Sequence, residues 1–362
     1  MNILLDNIIF SLQKTGGASV VWQQHLERLL LDKEIQCCFM EYDNAELNFF
    51  RQQLSYNKDF INVKSSKFLF LERYLNLNLK NDDKHLFHSS YYRLDKSKNA
   101  INVITVHDFT YEYYRRGISQ KIHSWQKYKA INGSEGVICI SNSTKNDLIK
   151  FLPNFDKSKI RVIYNGVDFR FKKINVHAPF NKDHNFDDFD YAIYIGDHKS
   201  KYKNFEMAVR ACSIDSKKLL IIGGGSFSKK EIIFLNNTIG DRNYKLLLNV
   251  SVENLNQYYN RAYCLIYPSL YEGFGIPIVE AQKAGCPVIA TNSSSIPEVI
   301  ANIFFAIDNP TPELIADKMQ CLKLKSQLRL KTIILGLEKS SHFSWENTYR
   351  QTIEFYKELY NK

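Results

Sequence analysis

The stretch Cys264–Val299, CLIYPSLYEGFGIPIVEAQKAGCPVIATNSSSIPEV, constrains what this chain can fold into more than any other. An apolar run, Cys264–Tyr267, stops at Pro268, and a glycine-rich turn carrying Glu272, Gly273, Phe274 and Gly275 follows. Pro277 then opens an apolar helical pattern, and Cys286–Ala290 reads as a second buried strand. Strand, loop, helix and strand in that order make a parallel crossover, whose loop sits at the carboxyl edge of the sheet and feeds a helix N-terminus. Unpaired N–H groups and the helix dipole favour an anion there. Glu272 precedes that N-terminus and Glu280 falls inside the helix.

The same alternation runs through the whole chain. Ile3–Phe10, Ile35–Tyr42, His85–Ser90, Ile101–Val106, Gly136–Ile140 and Ile160–Tyr164 read as strands, with helical spacing over Val20–Leu31, Ser119–Asn132 and from Ser141 onward, where a serine can cap. Residues 43–84 are rich in Asn, Lys and Asp, and only 68–79 are mildly amphipathic. Residues 169–190 mix charges without periodicity and are the expected linker. Beyond them the rhythm restarts: strand Tyr191–Ile195, helix Phe205–Ile214, strand Lys218–Ile222, helix Lys229–Thr238, strand Lys245–Val250, helix Glu253–Arg261, then the opening stretch. The expectation is an α/β protein of two doubly wound, Rossmann-like domains, 1–168 and 191–344, with the cleft between them as the ligand site. An amphipathic helix, Trp345–Tyr360, follows Ser344.

A chain of 362 residues fits this count, at roughly 150 residues per domain. Its seven cysteines include no C-x-x-C pair, so buried free thiols in a reducing compartment are expected. No apolar run approaches the roughly 18 residues that span a bilayer, and Asp6 interrupts the N-terminal apolar stretch, so a cytoplasmic protein is expected. The net charge of +10 is spread out, with 23 basic against 17 acidic residues over 1–165. Such a surface is either simply solvated or drawn to anionic lipid headgroups, and no nucleic-acid motif accompanies it.

Several residues at expected carboxyl-edge loops can carry chemistry. Glu272 on the loop can reach sugar hydroxyls, and Glu280 can accept two hydrogen bonds from a vicinal diol such as ribose; the competing reading makes Glu272 a helix-dipole partner and leaves Glu280 merely exposed. Lys203 can neutralise a diphosphate leaving group, with His198 as a weaker second cation. His107, ending the strand INVITVHD beside Asp108, can hydrogen-bond a sugar hydroxyl. Gly16 and Gly17, in the first strand-to-helix loop, allow close approach to a phosphate, or form an ordinary turn. Gly223–Gly225 invite a dinucleotide reading, an NAD-dependent oxidoreductase, but position 228 is Ser where G-x-G-x-x-G needs glycine. No metal-ligand cluster is spaced correctly, and no D-x-D motif is read at a strand end.

The segment Tyr267–Val299 resembles the signature of retaining glycosyltransferase family 4, whose members have the GT-B fold of two facing Rossmann-like domains. TVHDF at 105–109, ISNSTKNDL at 140–148, VIYNGVD at 162–168, YIGDHKSKYKNF at 194–205, IIGGG at 221–225 and FSWENT at 343–348 follow in family order. The resemblance implies that Glu280 binds the nucleotide ribose and Glu272 the donor sugar. It implies that backbone N–H groups of Phe274, Gly275 and Ile276 hold sugar and phosphate, that Lys203 meets the diphosphate, that His107 lies by the reacting carbon, and that Gly17 approaches the phosphates. The final helix, 345–362, would cross back onto the first domain.

The family usually carries an arginine beside the phosphate in the lysine loop, where this chain reads Asp197, His198, Lys199. The implied activity is metal-independent, retaining hexosyl transfer, without cofactor, from a nucleotide-diphosphate sugar to a glycan or polyprenyl-linked glycan hydroxyl in surface polysaccharide or O-antigen synthesis. The enzyme would be peripheral at the inner face of the cytoplasmic membrane, and no nucleic-acid partner is implied. The Tyr-Lys-Asn-Phe form at 202–205 resembles mannosyl-transferring members, so GDP-mannose is the expected donor, with a UDP-hexose as the alternative. A catalytically silent sugar-nucleotide-binding protein is the other reading.

Overall fold

The computed structural model describes residues 1–176, 180, 183 and 186–362. It divides into two units, residues 1–166 with 345–362, and residues 167–344. In the first unit seven strands run parallel: β1 (Asn2–Asp6), β2 (Gln36–Tyr42), β3 (Ile61–Lys64), β4 (His85–Ser89), β5 (Ala100–Val106), β6 (Gly136–Cys139) and β7 (Ile160–Val162), in the order β3-β2-β1-β4-β5-β6-β7. In the second unit β8 (Tyr191–Ile195), β9 (Lys218–Ile222), β10 (Tyr244–Leu247), β11 (Leu265–Tyr267), β12 (Val288–Thr291) and β13 (Ala306–Ile307) are ordered β10-β9-β8-β11-β12-β13. Both sheets are doubly wound, and the order reverses beside the unit's first strand: β1 pairs with β2 and β4, and β8 with β9 and β11.

The unbroken apolar runs become central strands because helices cover both faces of such a sheet. β4, β6 and β12 are buried at every residue. Ser141 caps the helix Asn142–Phe151 through the Thr144 N–H, 3.0 Å away. One core gathers Leu5, Leu26, Leu86, Val103 and Ile138 with Tyr349, Ile353, Tyr356 and Leu359, so the helix Trp345–Tyr360 is part of the first unit. The second core gathers Ala192, Tyr194, Phe205, Leu219, Ile266 and Met319.

Two segments differ from expectation, and a third, 43–84, carries no expected element. β1 stops at Asp6, and Ile9–Leu12 is a short helix. Asn7 turns the chain there: its N–H donates to Met40 O at 2.9 Å, its Nδ2 donates to Glu41 at 2.8 Å, and its Oδ1 accepts from Trp22 at 2.7 Å. Residues 43–84 form three-residue turns, the edge strand β3 and the four-residue helix Leu69–Glu72, none of whose residues is buried.

The stretch expected as a linker, 169–190, begins as part of the second unit. Phe171 is 1% exposed, the Lys172 and Ile174 N–H groups donate to Asn256 and Asn260, and Arg170 pairs with Glu253 at 3.0 Å. Residues 177–179, 181–182 and 184–185 of that stretch lie outside the described residues. Among the described residues no helix is long and apolar enough to cross a membrane.

Candidate active site

In the second unit, the loop after β11 and the helix Ile276–Lys283 are joined by Gly275, whose φ of +97° favours glycine. A Cβ there would make only ordinary contact with Ile278 and Val299, at 3.4 and 3.5 Å, so the backbone conformation and not space selects glycine. Ile276 opens the helix, Pro277 has no N–H, the Ile278 N–H donates to Gly275 O at 3.0 Å, and Phe274 is buried against the edge of Phe343.

The loop is fixed from behind by the hydroxyl run that follows β12. Thr291 donates to Ser269 O, Ser293 to Leu270 O at 2.6 Å and Ser295 to Glu272 O at 2.9 Å, while Ser294 Oγ accepts the Glu272 N–H at 2.8 Å. These four residues went unremarked in the sequence reading, although the unbroken T-N-S-S-S is a visible signal.

From the other side the Leu270 N–H donates to Tyr202 O at 2.8 Å, and Asn204 Nδ2 to Pro268 O at 3.1 Å. The two loops therefore bring Lys203 Nζ to 2.6 Å from Glu272 Oε1, with both side chains largely buried. The ammonium also lies 5.4 Å from the Tyr202 ring and 5.7 Å from the Tyr267 ring. A partly desolvated cation beside a helix N-terminus is a site for negative charge.

Glu280, one turn into the helix, is half-buried and accepts from Tyr259 Oη at 3.3 Å. Burial pushes its carboxyl up to about 7, with Asp168 adding to the rise and the Tyr259 bond opposing it. Near neutral pH it switches between acceptor-only carboxylate and carboxylic acid.

His198 is buried, at 6% exposure. Its Nδ1 meets Glu231 at 2.6 Å and its Nε2 meets Gly225 O at 3.0 Å, so acceptors hold both ring nitrogens. Gly223, Gly224 and Gly225 all have positive φ, and a Cβ on Gly224 would lie 2.3 Å from the His198 ring. The triple glycine thus fits a turn over a buried histidine. Ser228, at the missing third glycine, instead caps the helix Lys229–Thr238 in a capping box with Glu231.

A D-x-D triplet does stand at a strand end, Asp188–Asp190, but at the amino end of β8. There Asp190 pairs with Lys218 at 3.0 Å and Asp188 with Arg261 at 3.5 Å. Among the described residues no cluster of His, Cys, Asp or Glu is placed to hold a metal.

His107, Gly16 and Gly17 belong to the first unit. His107 follows β5, and burial lowers its pKa against the pull of Asp108. Gly16 precedes the helix Gly17–Leu31, and the space beside Gly17 is open. His107 and Ala18 line one cavity of about 40 Å³ together with His25 and His88. Tyr356 Oη bridges two of its lining histidines, at His88 Nδ1 and His25 Nε2, and His88 Nε2 meets Thr105 at 3.0 Å. Burial holds His25 at about 4 and His88 well below its ordinary value, so these rings are neutral.

Two family models match the chain: Glycosyltransferase Family 4 over residues 16–171 and Glycosyl transferases group 1 over 178–336. The chain is 32% identical to O-antigen chain mannosyltransferase B of Escherichia coli over 47% of its own length and 46% of that protein's. It is 29% identical to O-antigen chain mannosyltransferase RfbU of Salmonella typhimurium over 62% and 61%. Both alignments thus span less than two thirds of the relative. The crystal structure of Anabaena Alr3699/HepE in complex with UDP-glucose superposes with a TM-score of 0.72 at 14% identity, covering 99% of this chain and 100% of that one. That likeness gives the fold class, GT-B, with two Rossmann-like units.

Proposed function

Because this chain belongs to the GT4-type glycosyltransferases, we propose that it moves a hexose from a nucleotide-diphosphate sugar to a hydroxyl of a glycan or lipid-linked glycan, retaining the anomeric configuration. The observation that carries the reading is the Lys203–Glu272 pair at 2.6 Å beside the N-terminus of Ile276–Lys283, with Glu280 one turn behind. Lys203 and the helix N-terminus neutralise the diphosphate, Glu272 orients the sugar hydroxyls, and ionised Glu280 accepts the ribose diol. As the bond from the anomeric carbon to the phosphate oxygen breaks, positive character grows at that carbon. The acceptor oxygen bonds to the same face, and its proton passes to the leaving phosphate. No carboxylate nucleophile and no metal enters this scheme.

The relatives that transfer mannose favour GDP-mannose, and the Anabaena complex keeps UDP-hexoses in view. A thermal-shift panel of nucleotide sugars identifies the donor, because a ligand at a hundred times its Kd stabilises by about 2.7 kcal/mol. Transfer with the matched donor is expected to survive EDTA and to give a product of unchanged anomeric configuration. Loss restored by Mg²⁺, or an inverted product, overturns the scheme.

The same reading places the enzyme at an anionic membrane surface. Residues 113–129 contain no acid, and they expose Ile118, Ile122 and Trp125 among Arg115, Arg116, Lys121 and Lys129. Apolar anchors interspersed with cations suit anionic lipid. Sedimentation with anionic but not zwitterionic vesicles is expected, and equal partition on both sinks the assignment.

A further inference from the structure

A second cleft of the first unit, of about 230 Å³, opens beside His107 and Asp108. It is smaller than the roughly 300–1,000 Å³ of drug-sized sites and suits a single sugar ring. Its walls are aromatic. Tyr111 stacks on His123 with centroids 3.8 Å apart, and Tyr92 meets the same histidine edge-on at 5.7 Å. Such flat faces pack against the C–H groups of a sugar.

Two features mark it as built for a ligand. His123 is 7% exposed, yet its Nδ1 is buried without a hydrogen-bond partner. Arg73 lines the cleft with its Nε likewise buried and unpartnered. Among the described residues Arg73 makes no ion pair. Its guanidinium bonds Tyr91 Oη at 3.0 Å and lies 4.9 Å from the Tyr74 ring. The nearest acid in sequence, Glu72, bonds Tyr42 and Ser66 instead. Asp108 also lines the cleft, and its charge is countered by Lys127, which itself pairs with Glu112 at 2.9 Å. An unpaired guanidinium fork suits a carboxylate or phosphate, while Asp108 can accept from hydroxyls.

We infer that the acceptor carries an anion, phosphate or carboxylate, beside the sugar ring that enters this cleft, and that Arg73 is the group that holds it. The inference rests on the glycosyl-transfer reading above and names the substrate class which that reading leaves open.

The test is calorimetric titration of the full chain with three probes: a neutral methyl hexoside, a methyl hexuronide and a hexose 1-phosphate. One charged probe is expected to bind about tenfold more tightly than the neutral one, a preference of about 1.4 kcal/mol, and which one binds separates carboxylate from phosphate. Arg73→Gln should erase the preference and Arg73→Lys should keep most of it. Lys203→Ala should leave it untouched, so failure of the donor assignment is told apart from failure of this one. If Arg73→Gln does not fold, salt titration of the wild type decides, since the preference must shrink as ionic strength rises. Equal binding of all three probes, a preference surviving Arg73→Gln, or one lost in Lys203→Ala overturns the proposal.

Discussion

At the carboxyl edge of its sheet the second unit sets a lysine 2.6 Å from a glutamate, beside a helix N-terminus and a carboxyl near its titration point. At the corresponding edge the first unit sets His107, whose pKa burial lowers, among aromatic rings and the Arg73 guanidinium, which makes no ion pair among the described residues. The strand order is shared, 3-2-1-4-5-6 counted within each unit, with one further strand on the first. The two edges therefore differ through the loops and helices that follow the strands. One concentrates opposite charges where a polyanion can replace the carboxylate at the cation. The other sets aromatic faces around the Arg73 guanidinium and the Asp108 carboxylate.

This contrast can be broken by mutation. The largest effect is expected from Lys203→Ala, which leaves Glu272 unpaired and the leaving diphosphate without its cation. Transfer should fall by about 10²–10³-fold in kcat. A loss under threefold in steady-state assays would remove the lysine from the chemistry.

Glu280→Gln should separate function from stability. Glu280 titrates at 4.5 in the open chain and at about 7 in the fold, so folding takes up a proton between those values. The wild type therefore gains stability as pH falls from 7 towards 4.5 and carries a buried charge above 7. The glutamine variant is expected to be about 1–3 kcal/mol more stable at pH 8, with the gain fading near pH 4.5. Its donor affinity should drop at least tenfold. Denaturant melts at the two pH values and a donor titration check both, and a variant less stable at pH 8 contradicts the charge assignment.

On the first unit's edge, the proposed reading has His107 serve the sugar rather than the phosphates, so His107→Ala should lower kcat about tenfold while leaving the nucleotide Kd unchanged. A weakened nucleotide Kd would move His107 to the donor. The smallest effect is structural. Tyr356→Phe removes the hydroxyl between His25 and His88 and should cost about 1–3 kcal/mol, read as a lower Tm with donor binding intact.

What the sequence revealed follows the same division. β8, β9 and three of the second unit's helices stand where their apolar periodicity places them, whereas the meeting of Glu272 with Lys203, 69 residues away, follows from no spacing and appears only in the fold. Local signals suffice when an element is long, periodic and buried on one face. The partners of His198, Glu231 and Gly225, lie 33 and 27 residues away, so only the fold shows the histidine to be internal. The segment 43–84 could not be placed because polar anchors hold it. Asn48 Oδ1 accepts from the N–H groups of Phe50 and Arg51, and Asp95 Oδ1 from Leu79, which gives no repeat to detect. Arg73 and Tyr91, in and just beyond that region, were invisible for the same reason.

The helix Trp345–Tyr360 gives the first unit Tyr349, Ile353, Phe355 and Tyr356 as core. A ribosome makes these residues only after the whole of 167–344, so through that interval the first unit has an apolar face without its cover and a buried histidine without its phenol. The second unit, one unbroken stretch, owes nothing to later residues. A chain stopped at Ser344 should therefore keep a cooperative melt for the second unit and bind hydrophobic dye at the first.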